Sequence, residues 1–132
     1  MSTYQIAGDH VIWEKLGNHV VIAELKTGKY CNIVNPTGIH TWELLTAGYT
    51  PLEINDFFSQ YYVNVDIAAS KSIQEFTNKL IVLGFITAMK QGENPLKAKV
   101  ECEGSPREFE IPSLVVYDDI DTLLQLDPVA VV

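Results

Sequence analysis

The sequence predicts an α+β domain of winged helix-turn-helix type: a three-stranded antiparallel sheet, then three helices, with an extended C-terminal tail. Three observations lead there. Strand-like runs cluster in the first 34 residues and are separated by glycine turns. Three cap signals (Asn35-Pro36, Thr50-Pro51 and Asp66) then open helical patterns in succession. Beyond residue 102 the composition changes, with seven acidic residues against the single base Arg107. The division expected is a domain over 1–90, a linker over 91–108 and a tail over 109–132.

Residues 1–9 read as a loose lead-in. Residues 11–16 form a strand with Trp13 on one face, and Gly17-Asn18 is a turn signal. Residues 19–25 form the second strand, whose run Val20-Val21-Ile22-Ala23 suggests burial on both faces. Lys26-Thr27-Gly28 connects to a third strand over 30–34. Asn35 fits a helix cap and Pro36 the first helical position, where the missing N–H costs nothing. That helix runs to Ala47, places Ile39, Trp42 and Leu45 on one face, and stops at Gly48.

Thr50-Pro-Leu-Glu53 matches a capping box. The helix it opens carries Ile54, Phe57, Phe58, Tyr61 and Tyr62 at i, i+3, i+4, i+7 and i+8, the stripe of a core-facing helix. Asp66 caps a third helix over 67–83, with Ile73, Phe76, Leu80 and Leu83 along one line and Lys71, Gln74 and Lys79 beside it. Some of these apolar side chains can line a groove instead of filling the core. Residues 85–88 read as an extended exit segment.

The net charge of −8 and the absence of a basic stripe disfavour nucleic acid as a partner. No apolar run is long enough to span a membrane, and the first ten residues lack a secretory pattern, so a cytoplasmic location is expected. Cys31 and Cys102 stand apart without a CxxC pair and read as reduced thiols. His10, His19 and His40 show no metal-ligand spacing. With no nucleophile–base pair and no glycine-rich phosphate loop, neither catalysis nor a cofactor is expected.

The series Gly28-x-Tyr30-x-x-Ile33-Val34-Asn35-x-x-Gly38-x-x-x-Trp42-x-Leu44-Leu45-x-x-Gly48-x-Thr50-x-x-Glu53-Ile54, followed by Phe76-x-x-x-Leu80-x-x-Leu83-Gly84-Phe85-Ile86, resembles the PqqD-like proteins. These are recognition elements for ribosomally made, post-translationally modified peptides, and the resemblance spans about residues 11–88. It implies a non-catalytic domain that binds the leader segment of a precursor peptide and presents it to a modifying enzyme. That enzyme would be a protease, a lactam-forming synthetase or a radical SAM enzyme. The leader would add a strand to the third strand, Lys29, Tyr30, Cys31, Asn32, Ile33 and Val34, and pack against Ile73, Phe76 and Leu80 of the third helix. Lys71 and Lys79 would meet acidic leader residues at the rim. Such β-augmentation takes affinity from main-chain hydrogen bonds and choice from side-chain pockets.

The tail itself is extended by propensity. Phe109, Ile111, Val115 and Tyr117 share one parity; Pro112, Leu114 and Val116 share the other. Phe109-x-x-Pro112-x-Leu114 resembles the Tyr-x-x-Pro-x-Leu element of lasso-peptide leaders, with Tyr117 just beyond it, and residues 117–129 resemble a tail on some PqqD-like proteins. Asp118-Asp119 can cap a short helix bearing Ile120, Leu123 and Leu124. Two readings stand side by side: a leader-like segment that occupies the groove of its own chain or of a second copy in a swapped dimer, and an edge strand that completes the fold. Two other functions also compete, a winged-helix DNA-binding regulator and a precursor fused to its own recognition domain.

Overall fold

The computed structural model describes residues 3–89 and 108–117. In chain order the elements are β1 (Tyr4–Ile6), β2 (Val11–Leu16), β3 (His19–Glu24), β4 (Lys29–Ile33), α1 (Pro36–Thr46), α2 (Pro51–Tyr61), α3 (Ile67–Val82), β5 (Ile86–Ala88) and β6 (Leu114–Tyr117). The fold is mixed α+β, with three helices and antiparallel sheets.

The expected three-stranded sheet has a fourth member. Its order is β2-β3-β4-β6, so the tail strand lies on the edge of β4. The lead-in is not loose either. Tyr4, Gln5 and Ile6 pair antiparallel with Ala88, Thr87 and Ile86, making a separate two-stranded ribbon from the first strand and the exit segment. Three residues at the start of a chain give too short an alternation to read as a strand; the ribbon forms because the end of α3 delivers a partner. The expected linker over 91–108, apart from its last residue Glu108, lies outside the described residues, as do Cys102 and the short helix after Tyr117.

β2 and β3 meet through Gly17-Asn18, with Leu16 opposite His19. Gly17 has φ +62°, as the first central position of a type II′ hairpin requires. β3 is buried on one face, not two. Val20, Ile22 and Glu24 are buried, whereas Val21 and Ala23 are half-exposed. The outer face of the sheet has no described layer over it, and Ile12, Leu16 and Leu25 remain exposed there.

All three caps form as their sequences dictate. Asn35 accepts from Gly38 N at 3.0 Å, and Asp66 from Ala69 N at 3.2 Å. In the capping box Thr50 Oγ1 accepts from Glu53 N at 3.1 Å, while Glu53 Oε1 accepts from Thr50 N at 3.0 Å. α3 ends in a Schellman turn: Phe85 N donates to Leu80 O and Gly84 N to Ile81 O, with Gly84 at φ +84°. That turn drives Phe85 into the core and points β5 back towards β1.

The core lies between the inner face of the four-stranded sheet (Val20, Ile22, Cys31, Ile33, Leu114) and the three helices, which contribute Trp42, Leu45, Ile54, Phe58, Ile73, Phe76 and Leu80. Trp13 meets Trp42 edge-on, with ring centroids 5.6 Å apart.

The turn between β3 and β4 is held by one carboxylate. Glu24 is buried and accepts from Lys26 N at 2.8 Å, from Thr27 N at 3.0 Å and from the Thr27 hydroxyl; His10 stands 4.0 Å away. The Thr27 hydroxyl, and behind it the two backbone donors and His10, hold the Glu24 carboxyl below the ordinary glutamate range despite its burial. A carboxyl depressed in the folded state stabilises above its unfolded value, about 4.3, and that contribution disappears as pH falls through the folded value. Glu24→Gln is therefore expected to destabilise the chain at pH 7, and the gap from wild type should narrow as pH falls below about 4. Urea denaturation at both pH values checks this.

Candidate functional site

The edge of β4 away from β3 faces a trough bounded by the N-terminus of α1 and the C-terminal end of α2. Residues 108–117 lie in it. Tyr30, Cys31, Asn32 and Ile33 pair antiparallel with Tyr117, Val116, Val115 and Leu114. The inward positions are Leu114, opposite Ile33, and Val116, opposite Cys31. Leu114 is buried within the core cluster, and a leucine placed so contributes about 2 kcal/mol. On the outer face Tyr117 stacks on Tyr30, with centroids 4.7 Å apart and planes 10° from parallel. Val115, beside it, stays exposed.

Before β6 the ladder stops, because Pro112 has no N–H. Side chains replace the ladder there. The Asn35 amide donates from Nδ2 to Ile111 O at 2.7 Å, and its Oδ1 accepts from Ser113 N at 3.2 Å. One side chain thus brackets the buried proline from both sides while Oδ1 also caps α1. Thr37 Oγ1 donates to Glu110 O at 2.6 Å. Further back, Phe109 N donates to Val63 O at 3.0 Å and Asn64 Nδ2 to Glu108 Oε1 at 3.0 Å. Asn64 reaches from a left-handed backbone, φ +61°, a conformation that asparagine tolerates better than most residues. The Phe109 ring meets Phe58 and Tyr62 at centroid distances of 6.2 and 6.3 Å.

Gly38 makes room for this clasp. A Cβ there would stand 2.6 Å from Asn35 Oδ1, 2.7 Å from Ile33 Cγ2 and 3.2 Å from Ser113 O. Only glycine lets the cap side chain, the β4 edge and the docked backbone approach together.

Of the candidate residues on the strand, Tyr30, Cys31, Asn32 and Ile33 face the docked segment. Lys29 pairs with Glu24 on the other side, and Val34, exposed, follows the strand. Phe109, Pro112, Leu114 and Tyr117 all meet the body of the domain, but not as strand parity orders them. Ile111 shares parity with Phe109 yet is 68% exposed. The alternation slips between Phe109 and Pro112, where Thr37 and Asn35 hold the backbone in place of a ladder.

Of the expected helical wall, Ile73, Phe76 and Leu80 are buried members of the core cluster. Lys71 and Lys79 are exposed on α3, Lys71 standing 4.0 Å from Glu75. Asn35, Thr37, Phe58, Tyr62 and Asn64 went unrecognised as contacts. The cap role of Asn35 and the core stripe of Phe58 and Tyr62 each account for the residue without a ligand. The one sequence signal was Thr37, a small polar residue behind the cap and Pro36 that capping does not require.

Burial pushes the Cys31 thiol up to about 12, against the weaker opposing pulls of the Ile22 backbone hydrogen bond and the Lys79 charge. Cys31 therefore stays protonated and unreactive at neutral pH. Among the described residues no cluster of potential metal ligands occurs, and no helix is long and apolar enough to cross a membrane.

The chain is similar to a solved structure, "TbiB1 in Complex with the TbiA(beta) Leader Peptide", at 25% sequence identity and a TM-score of 0.53. The match covers 68% of this chain and 98% of that one. The chain matches no protein-family model and no curated protein.

Two outcomes test the clasp. Thr37→Val keeps the shape of the side chain and should loosen the docked segment by about 1 kcal/mol, read as faster amide exchange at Ser113 with α1 unchanged. Asn35→Ala removes the cap as well and should cost about 2 kcal/mol in all, read by chemical denaturation. In peptide mapping at pH 8, Cys31 should resist alkylation in the native chain and react once it is unfolded. The fold supports an α+β protein similar to one solved with a leader peptide.

Proposed function

We propose that this chain binds the leader segment of a ribosomally made precursor peptide, without catalysis, by adding it as a strand to β4, and presents it to a modifying enzyme. The single observation that carries the reading is the seat taken by residues 108–117. Leu114–Tyr117 lie antiparallel on β4, and the Phe-x-x-Pro-x-Leu residues leading into them leave Pro112 and Leu114 buried. The trough thus fits the backbone of a peptide strand and the side chains of that spacing. The likeness to TbiB1, solved with a leader peptide, supports the same reading. The core residues Ile73, Phe76 and Leu80 would back the edge, and Lys71 and Lys79 would stand at its rim. A winged helix-turn-helix ancestry suits the α2–α3 succession. α3 carries only two lysines, which favours a peptide over duplex DNA as its partner. The presenting partner would be a protease, a lactam-forming synthetase or a radical SAM enzyme.

A fluorescent peptide carrying Tyr-x-x-Pro-x-Leu tests this, titrated into full-length chain whose own segment has been released by Leu114→Asp, since a charge does not enter the apolar seat cheaply. Phe109→Ala with Tyr117→Ala, both half-exposed, releases it by a second route if Leu114→Asp misfolds. Saturable binding is expected, lost when the peptide's proline and leucine become aspartate. Absence of binding by folded, released chain would refute the reading.

A further inference from the structure

We infer that residues 108–117 are a built-in competitor for the peptide groove, so that a leader gains the edge of β4 only by displacing the chain's own segment. The inference rests on the leader-binding reading above and adds regulation to it. The two occupants are mutually exclusive because the requirement is backbone pairing. β4 has two edges: β3 holds one along Tyr30, Cys31, Asn32 and Ile33, and β6 holds the other along the same residues. No third strand can join. The clasp is equally single-valued. Asn35 Nδ2 and Oδ1 are engaged by Ile111 O and Ser113 N, and Thr37 Oγ1 by Glu110 O.

The segment is nonetheless made to be exchanged. It is four ladder residues long, with Ile111 and Val115 exposed and Phe109 and Tyr117 only half-buried. Its sequence is separated from β5 by the stretch 89–107, so it can leave the edge without unthreading any other described element. A flexible tether of that length would set an effective concentration on the order of a millimolar. If segment and leader have the same intrinsic dissociation constant, taken as roughly 10 μM, the groove is free about 1% of the time and the leader's apparent constant rises about 100-fold. A weaker segment imposes a smaller threshold in proportion.

A reversible lock provides the test. Asn32 and Val115 are opposite across the ladder on the outer face, and directly paired antiparallel residues have Cα separations of about 4.5–5.5 Å, within disulfide range. The 132-residue chain carrying Asn32→Cys and Val115→Cys, with Cys102→Ser to leave buried Cys31 as the only native thiol, is oxidised and titrated with the Tyr-x-x-Pro-x-Leu peptide, then reduced and titrated again. Binding should weaken at least about tenfold on oxidation and return with reductant. In parallel, the Phe109→Ala/Tyr117→Ala chain should bind the peptide about 10- to 100-fold tighter than wild type, within the range set by the tether. Equal binding by the oxidised and reduced forms overturns the competition, and so does equal affinity of wild type and released chain. Either result leaves leader binding standing. Failure of every folded form, reduced and released, to bind the peptide overturns leader binding, and the competition with it.

Discussion

A β-strand at the edge of a sheet carries backbone donors and acceptors that must be satisfied, and in this protein the far edge of β4 is where that requirement shapes the molecule. β2 and β3 complete one side of β4 through short local turns. The other side is completed only by residues some eighty positions later in the chain. Because the pairing is backbone to backbone, it places little demand on side-chain identity along the ladder. Selection instead falls on the positions that face inward, Pro112 and Leu114, and on the aromatic contacts at either end.

The N-terminus of α1 extends that edge past the point where a ladder can run. Asn35 serves two structures at once. Its carbonyl oxygen caps the helix and receives Ser113 N, while its amide reaches Ile111 O. A helix start and a peptide clasp therefore share one side chain, and Gly38 supplies the clearance that allows it. This sharing couples local helix stability to occupancy of the trough: a change at Asn35 cannot affect one without the other. The buried Cys31 is different in kind. It contributes volume beneath the strand, and its protonated thiol takes no part in exchange at the edge.

The sequence is legible wherever the physics is local. The caps at Asn35, Thr50 and Asp66, the stops at Gly48 and Gly84, and the three central strands follow from residues within a few positions of each other. The ribbon of β1 and β5 was not legible, because neither three-residue strand has a pattern until α3 brings them together. The two-faced burial expected for β3 failed since four apolar residues in a row say nothing of which face a second layer covers. The line Ile73, Phe76 and Leu80 fits core or groove wall by spacing alone; in the structure all three are buried with the core cluster. For the tail, composition revealed an extended segment with a Phe-x-x-Pro-x-Leu spacing. The slip of parity at Pro112 was hidden, because it depends on hydrogen bonds from Asn35 and Thr37, more than seventy residues away.

The direction in which β6 runs has a geometric corollary. The segment enters beside the end of α2, at Val63, and leaves at Tyr117, next to Tyr30 and the turn that follows Glu24. A guest threaded with the same polarity would project its C-terminal continuation from that corner of the sheet. At the same end of the sheet but across β4 and β3, on the opposite edge, Ile12 and Leu25 present uncovered apolar surface. The downstream part of such a guest would leave the sheet at this end, and its upstream end would lie beside the end of α2.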